Sequence, residues 1–117
     1  MKLVLASCVI ILGAGVACAT VQLPAEQLAS SEAAIRSADE LGAPSVPAAA
    51  LHLRLAEEEM TRAKALAYQG DGERADLYLR RSSADAELAL ALVREAKARG
   101  EADRAQTDAN NLERSTR

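Results

Sequence analysis

The single histidine of the chain, His52, is the first residue to consider for acid–base or metal chemistry. Either role needs carboxylate or cysteine partners close to the imidazole ring. Glu58 and Glu59 follow about one and a half to two turns later on the same predicted helix, and no other ligand converges on His52 in the sequence. We therefore predict that His52 is an ordinary residue on a helix surface.

Two further groups of polar residues invite the same question. Glu57, Glu58 and Glu59 are consecutive, and consecutive helix residues point about 100° apart, so the three cannot chelate one ion together. Ser82 has no base beside it and falls on an apolar stripe, where a small residue lets two helices approach closely. The sequence therefore predicts no catalytic residue, no metal and no cofactor.

Cys18 carries the strongest functional prediction. Lys2 is followed by an uncharged apolar run from Leu3 to Ala17, which is typical of a signal peptide. The run ends in Gly15-Val16-Ala17-Cys18, which resembles a bacterial lipobox. This interpretation makes residues 1–17 a lipoprotein signal peptide and residues 18–23 a lipidated cysteine with a tether. Two or three acyl chains on Cys18 would give stable membrane anchoring.

Two other interpretations of the N-terminus stay open. Ala17-Cys18-Ala19 also fits a soluble-export cleavage site of the A-x-A type. Alternatively, the 19 uncharged residues from Leu3 to Val21 just reach the roughly 18–20 residues that span a bilayer. Cys8 follows a lipobox-like Leu5-Ala6-Ser7, but too few apolar residues precede it, so we interpret it as part of the leader.

The composition predicts an all-α fold with a thin core. The chain has 117 residues, of which 27 are alanine and 16 are leucine, with no Phe or Trp. An alanine methyl contributes only about 0.8 kcal/mol on burial, against roughly 1.5–3 kcal/mol for a large apolar side chain. The net charge of −3, with both signs interleaved, lacks the basic patch of a nucleic-acid binder.

Three helices are predicted in residues 24–114, with a frayed tail at 115–117. Helix one spans about 24–41 and ends at Gly42, and helix two spans about 46–69, with Ser45 as a candidate cap. Gly70 and Asp71 form a tight turn that makes helices two and three antiparallel neighbours. Helix two carries an apolar stripe at alternating spacings of four and three: Ala49, Leu53, Ala56, Met60, Ala63 and Ala67.

Helix three continues the same spacing. Its stripe consists of Ala75, Leu79, Ser82, Ala86, Ala89, Val93 and Ala96. Gly100 is a possible end of this helix, and whether the helix continues beyond it stays open. Tyr68 and Tyr78 flank the turn, and we predict that both pack on the hairpin. Glu58 and Arg62 have the spacing of an ion pair on the solvent-exposed face of helix two.

The whole layout resembles a family of small bacterial lipoproteins catalogued as domain of unknown function 4398. The matching features are Ala17-Cys18-Ala19, an alanine-rich helix from Pro24 to Leu41, Gly42-Ala43-Pro44, and a long helix containing Asp85-Ala86-Glu87-Leu88-Ala89. The resemblance covers roughly residues 18–98. It implies an envelope location and a helical domain, and it implies no activity.

These observations predict a lipid-anchored protein of the bacterial cell envelope, with no enzymatic activity. Ala19 after the cysteine favours the outer membrane, facing the periplasm. The expected partners are the membrane, through the acyl chains, and an envelope protein or a second copy. Leu88 and Leu92, beside the stripe of helix three, are the candidate partner surface. The alternative is a periplasmic carrier that holds a small apolar ligand or lipid between the helices.

Overall fold

The computed structural model describes residues 21–117, and within this part the chain is helical without strands. Helix α1 spans Ala25–Glu40, a short 3-10 turn spans Ala43–Ser45, α2 spans Pro47–Tyr68 and α3 spans Gly72–Ser115. The predicted all-α architecture of a short helix followed by a long hairpin is confirmed. The predicted signal peptide and Cys18 lie outside the described residues.

The predicted stripes of α2 and α3 form the interface of the hairpin. All six stripe residues of α2 are buried, and the α3 stripe is buried from Ala75 to Val93, with Ala96 half-buried at its end. Ser82 is fully buried, and its Oγ donates a hydrogen bond to the carbonyl oxygen of Ala56 across the interface, at 2.7 Å. A side chain as short as serine reaches the opposite backbone, so the two helices approach closely, as predicted for Ser82.

Helix α1 packs along one groove of the hairpin. Leu28 contacts the cluster of Met60, Ala63 and Leu79, whereas Leu41 contacts the cluster containing Ala49 near the start of α2. Helix α1 therefore runs antiparallel to α2 and parallel to α3. An ion pair between Lys64 Nζ and Glu32 Oε1, 2.7 Å long, joins α1 to α2 on this side.

The two predicted turns form at glycines with left-handed backbone. Gly42 has a φ of 95° and Gly70 a φ of 82°, which is a conformation that residues with a Cβ rarely adopt. Asp71 caps α3 by accepting a hydrogen bond from the Arg74 backbone N–H at 3.2 Å. Ser45 does not cap α2, because it lies in the 3-10 turn and Val46 occupies the capping position.

Two predicted side-chain contacts are wrong. Glu58 lies beside Arg54 at 3.7 Å rather than beside Arg62, since the Arg62 guanidinium lies over the ring of Tyr78 at 5.1 Å from its centroid. Tyr78 packs on the hairpin as predicted, but Tyr68, at the end of α2, is 78% exposed.

Helix α3 runs through Gly100 without interruption. It has 44 residues, which corresponds to about 66 Å at 1.5 Å per residue. A methyl group added at Gly100 would meet no atom within 4 Å, so this glycine serves neither a turn nor a close packing contact. All residues from 101 onward are exposed. The final 15 helical residues, 101–115, thus extend beyond the bundle and are called the α3 extension below.

Candidate interaction surface

The described chain begins docked against the turn of the hairpin. The Val21 backbone N–H donates to the Ala67 carbonyl oxygen at 3.0 Å, and Leu23 packs on the cluster that contains Leu66, Ala67 and Ala75. Gly72 lies under Val21 so closely that an added Cβ would stand 2.8 Å from Val21 Cγ1. The end of the bundle nearest Cys18 along the chain is therefore the α2–α3 turn.

The opposite end of the bundle carries the α3 extension. Three positions of the extension continue the spacing of the buried stripe, and all three are polar: Asp103, Thr107 and Asn110. We call these positions the inner register. Its hydrogen bonds are local, for example from Gln106 Nε2 to Asn110 Oδ1 at 3.2 Å and from Thr107 Oγ1 to the Asp103 carbonyl oxygen at 2.9 Å. Contacts three and four residues apart stabilise a helix by only about 0.2–0.5 kcal/mol each, so they support the extension weakly where α1 and α2 no longer lie beside it.

A second stripe of α3 faces away from the hairpin and continues along the extension. It is displaced by two residues from the buried stripe, which corresponds to about 200° around the helix axis. Its members alternate at spacings of four and three and are exposed: Ala84, Leu88, Ala91, Glu95, Ala98, Ala102, Ala105, Ala109 and Leu112. We call this set the outer stripe. Leu88 was predicted as part of a partner surface, whereas the stripe was not predicted, although its heptad spacing is visible in the sequence.

The structure places Leu88 and Leu92 in different surroundings. Leu88 is 43% exposed and belongs to the outer stripe. Leu92 is half-buried and packs against the core cluster of Ala49, Leu53 and Val93. An open cleft of about 640 Å³ lies nearby, where α3 leaves the bundle, between Val46 and Gly100. A helix that bound the outer stripe would contact Leu88 directly and Leu92 only at its margin.

A polar cluster lies on the side of the hairpin opposite α1. His52 Nδ1 donates to Asp85 Oδ1 at 2.6 Å, and both side chains are about a quarter exposed. Glu59 stands beside Asp85 on the same side, and its Oε2 atom is buried without a hydrogen-bond partner. The prediction that no ligand other than Glu58 and Glu59 converges on His52 is therefore wrong, because Asp85 of α3 lies against its ring.

The position of Glu59 changes its proton affinity. Partial burial, and then the nearby Asp85 carboxylate, raise the pKa of Glu59, and the Arg81 guanidinium opposes the shift. Desolvation and a neighbouring carboxylate both favour the neutral acid. Across residues 21–117, no three His, Cys, Asp or Glu side chains are placed to hold a metal ion together.

Replacing Glu59 by glutamine is expected to stabilise the protein at pH 7.5 and not at pH 4. Because the folded-state pKa of Glu59 is raised, its contribution to stability is present below its unfolded pKa and is lost as the pH rises through the folded value. Glutamine stays neutral and keeps a donor for Asp85. Because solvent screens much of the charge of Glu59, the gain at pH 7.5 should be a small rise of the melting temperature, measured by thermal unfolding at both pH values.

Glu58→Gln is the matched control for this variant, since Glu58 is exposed on the same helix beside Arg54. It should show no comparable difference between the two pH values. A gain for Glu59→Gln that is equally large at pH 4 and pH 7.5 would show that the charge of Glu59 is not its cause.

The described helices define a class of protein, namely a small three-helix domain from which one helix projects. No helix within residues 21–117 has the length and apolar character needed to cross a membrane. A family model described as Domain of unknown function (DUF4398) matches residues 26–105. The chain belongs to this family, as its layout predicted. Searches among curated proteins and solved structures find no match.

Proposed function

We propose that this protein is a lipid-anchored component of the bacterial cell envelope whose helical domain binds an envelope protein and catalyses no reaction. The observation that carries the interaction role is the α3 extension, a four-turn helix whose residues are all exposed. Isolated helices of about this length are marginal in water. A partner that packs against the extension would bury a surface that the bundle itself leaves open.

The anchor is proposed from the leader and from the position of Val21. The apolar run before Cys18 has the layout of a lipoprotein signal peptide, and Ala19 favours the outer membrane with the domain facing the periplasm. Only residues 19 and 20 separate Cys18 from the docked Val21. The folded domain would then begin almost at the membrane surface.

Intact mass spectrometry of the protein from a bacterial membrane fraction tests the anchor. We expect a chain that begins at Cys18 and carries the mass of two or three acyl chains. In Cys18→Ala the acyl mass should be lost completely, because the thiol that receives the diacylglycerol is gone. An unmodified chain that begins at Met1, or one that begins after Ala19, would contradict the proposal.

Charge on the flanks of the outer stripe favours a different protein over a second copy as the partner. Copies anchored in one membrane through Cys18 would be parallel. In a parallel pair of helices, a residue flanking the seam contacts the residue five positions later on the partner. Arg94 would then face Arg99, and Asp108 would face Glu113. Like charges in these positions oppose pairing, so a helix with complementary charges is the better fit.

Ending the chain after Gly100 is expected to abolish capture of the envelope partner by pull-down while leaving the bundle folded. The removed residues are all exposed, so their loss should change the melting temperature by a few degrees at most. Circular dichroism of the truncated protein checks the folding. If the truncated and full-length chains capture the partner equally, the extension is not the binding element.

Two point variants sharpen this test within the full chain. Ala105→Glu places a charge on the outer stripe, whereas Thr107→Glu places it on the polar inner register of the same exposed helix. Only the first should reduce capture, and we expect roughly a tenfold loss, since a charge buried in an apolar contact costs at least about 1–3 kcal/mol. Equal loss in both would indicate general charge repulsion instead.

The hairpin geometry favours this proposal over a carrier of an apolar ligand between the helices. A carrier needs room between α2 and α3, and pockets for small ligands typically measure about 300–1,000 Å³. Ser82 instead bonds directly to the Ala56 carbonyl oxygen at 2.7 Å. Ala56 and Ala86 in the same interface are both fully buried, which indicates contact between the helices at this level.

A further inference from the structure

The hairpin turn carries two exposed apolar side chains next to each other. Tyr68, the last residue of α2, is 78% exposed, which is the highest value among the large apolar residues of the described chain. Val21 is 40% exposed, and its N–H is bonded to the carbonyl oxygen of Ala67, the neighbour of Tyr68.

The length of chain before Val21 indicates what would face this surface. Cys18 lies three residues earlier, and an extended chain spans at most about 3.6 Å per residue, so the two Cα atoms are within about 11 Å. Acyl chains on Cys18 would therefore hold the turn against the bilayer. The C-terminal end of α3 would lie far from it, since Leu112 is 40 residues from Gly72 and so about 60 Å away along the helix axis.

We propose that the α2–α3 turn is a membrane-contact surface that rests in the interfacial layer of the bilayer bearing the acyl chains. This inference rests on the proposed lipidation of Cys18. Tyrosine suits this layer, because its ring is apolar and its hydroxyl group is polar. At the cap the Asp71 carboxylate is paired with the Arg74 guanidinium, so the exposed Glu73 supplies the net negative charge of residues 70–74.

The contact would orient the whole domain. An anchor of acyl chains alone leaves a domain free to tilt, whereas a second contact at Tyr68 and Val21 restricts that freedom. When the turn contacts the bilayer, α1 and α3, which run parallel to each other, point away from the membrane. The α3 extension is then presented about 45–65 Å from the surface, at 1.5 Å per residue from Gly72. The outer stripe thus becomes available to a partner that does not touch the bilayer.

Single tryptophans at the two ends of the domain test this orientation. The chain contains no Trp, so Tyr68→Trp and Leu112→Trp each introduce one fluorophore, and both positions are highly exposed, at 78% and 67%. Each acylated full-length variant is placed in phosphatidylcholine vesicles with and without brominated acyl chains, which quench nearby tryptophan. We expect Tyr68→Trp to lose roughly half of its emission or more in the brominated vesicles, since interfacial side chains reach the acyl boundary, and Leu112→Trp to be unchanged.

The outcomes separate this inference from the lipidation on which it rests. If both variants carry acyl mass and bind vesicles but neither is quenched, the anchor stands and the membrane contact is overturned. If both are quenched, the domain lies flat on the bilayer, which also overturns the upright orientation. A chain without acyl mass overturns the proposed function, and this inference with it.

Discussion

Replacing Leu79 by alanine is expected to lower the free energy of unfolding by about 2–5 kcal/mol and to leave the domain largely unfolded at growth temperature. Leu79 is the largest fully buried side chain among the described residues, with an exposure of 0%. It joins Met60 of α2 to the side chains that α1 contributes, among them Leu28 and Ile35. Its large neighbours belong to three different helices whose backbones are fixed by other contacts, so they would fill only part of the space that Leu79 leaves.

The size of this effect follows from the thin core. Small domains have a free energy of unfolding of only a few kcal/mol, so a single cavity can remove most of it. Thermal unfolding followed by circular dichroism gives the measurement. Since about 1 kcal/mol shifts the melting temperature by 4–8 °C in a domain of this size, the expected fall is at least about 10 °C.

Leu77→Ala is the matched control, since it makes the same substitution two residues earlier on the same helix. Leu77 is 46% exposed and is expected to cost less than about 1 kcal/mol. An equal fall for both variants would mean that the helix itself, rather than the three-helix contact at Leu79, limits stability.

The buried faces were predictable because helix periodicity determines them. Ala56 and Ala86 carry little hydrophobicity themselves, yet their four-and-three spacing with Leu53 and Leu79 placed them in the interface. The turn at Gly70 and Asp71 was predictable for the same kind of local reason, namely a left-handed glycine and a capping carboxylate. Both features depend on residues near each other in the sequence.

The polar cluster was missed because it depends on alignment between helices. His52 and Asp85 are 33 residues apart, and they meet only when α2 and α3 are folded about the turn in the correct register. That turn was itself predicted. If the chain folds back at residue 69 or 70, residues equally far from the turn lie opposite each other. The residue opposite position 52 is then expected near 86–88, within one helical turn of Asp85. The signal was therefore present, but it required combining the turn with the stripes.

The length of α3 could not be settled from the sequence because its deciding residue is ambiguous. Glycine in a helix costs about 1 kcal/mol relative to alanine, which a long helix can tolerate. Around Gly100, the ion pair of Arg99 with Glu95 and the helix-favouring Ala98 and Ala102 stabilise the helix on both sides. Likewise, the apolar residues of α1, such as Leu28 and Leu41, do not indicate which of the two grooves of the hairpin the helix occupies. Its position appears only in contacts such as that of Glu32 with Lys64.

Replacing Ala86 by leucine is expected to lower the free energy of unfolding by about 1–3 kcal/mol, or more if the helices must separate. Ala86 is fully buried on the stripe of α3, one turn after Ser82. The 2.7 Å hydrogen bond from Ser82 to the Ala56 carbonyl oxygen shows how near the opposite backbone lies. A leucine side chain needs space that this contact does not leave, so the melting temperature should fall by roughly 5–20 °C.

Ala84→Leu provides the control, since Ala84 is exposed on the outer stripe of the same helix. Its stability should change by no more than about 0.5 kcal/mol, because surface substitutions rarely exceed that value. If Ala86→Leu instead unfolds at the wild-type temperature, α2 and α3 must be able to move apart at little cost. Helices that separate so readily could admit an apolar ligand, and the carrier function would then fit the hairpin better than a closed interaction domain.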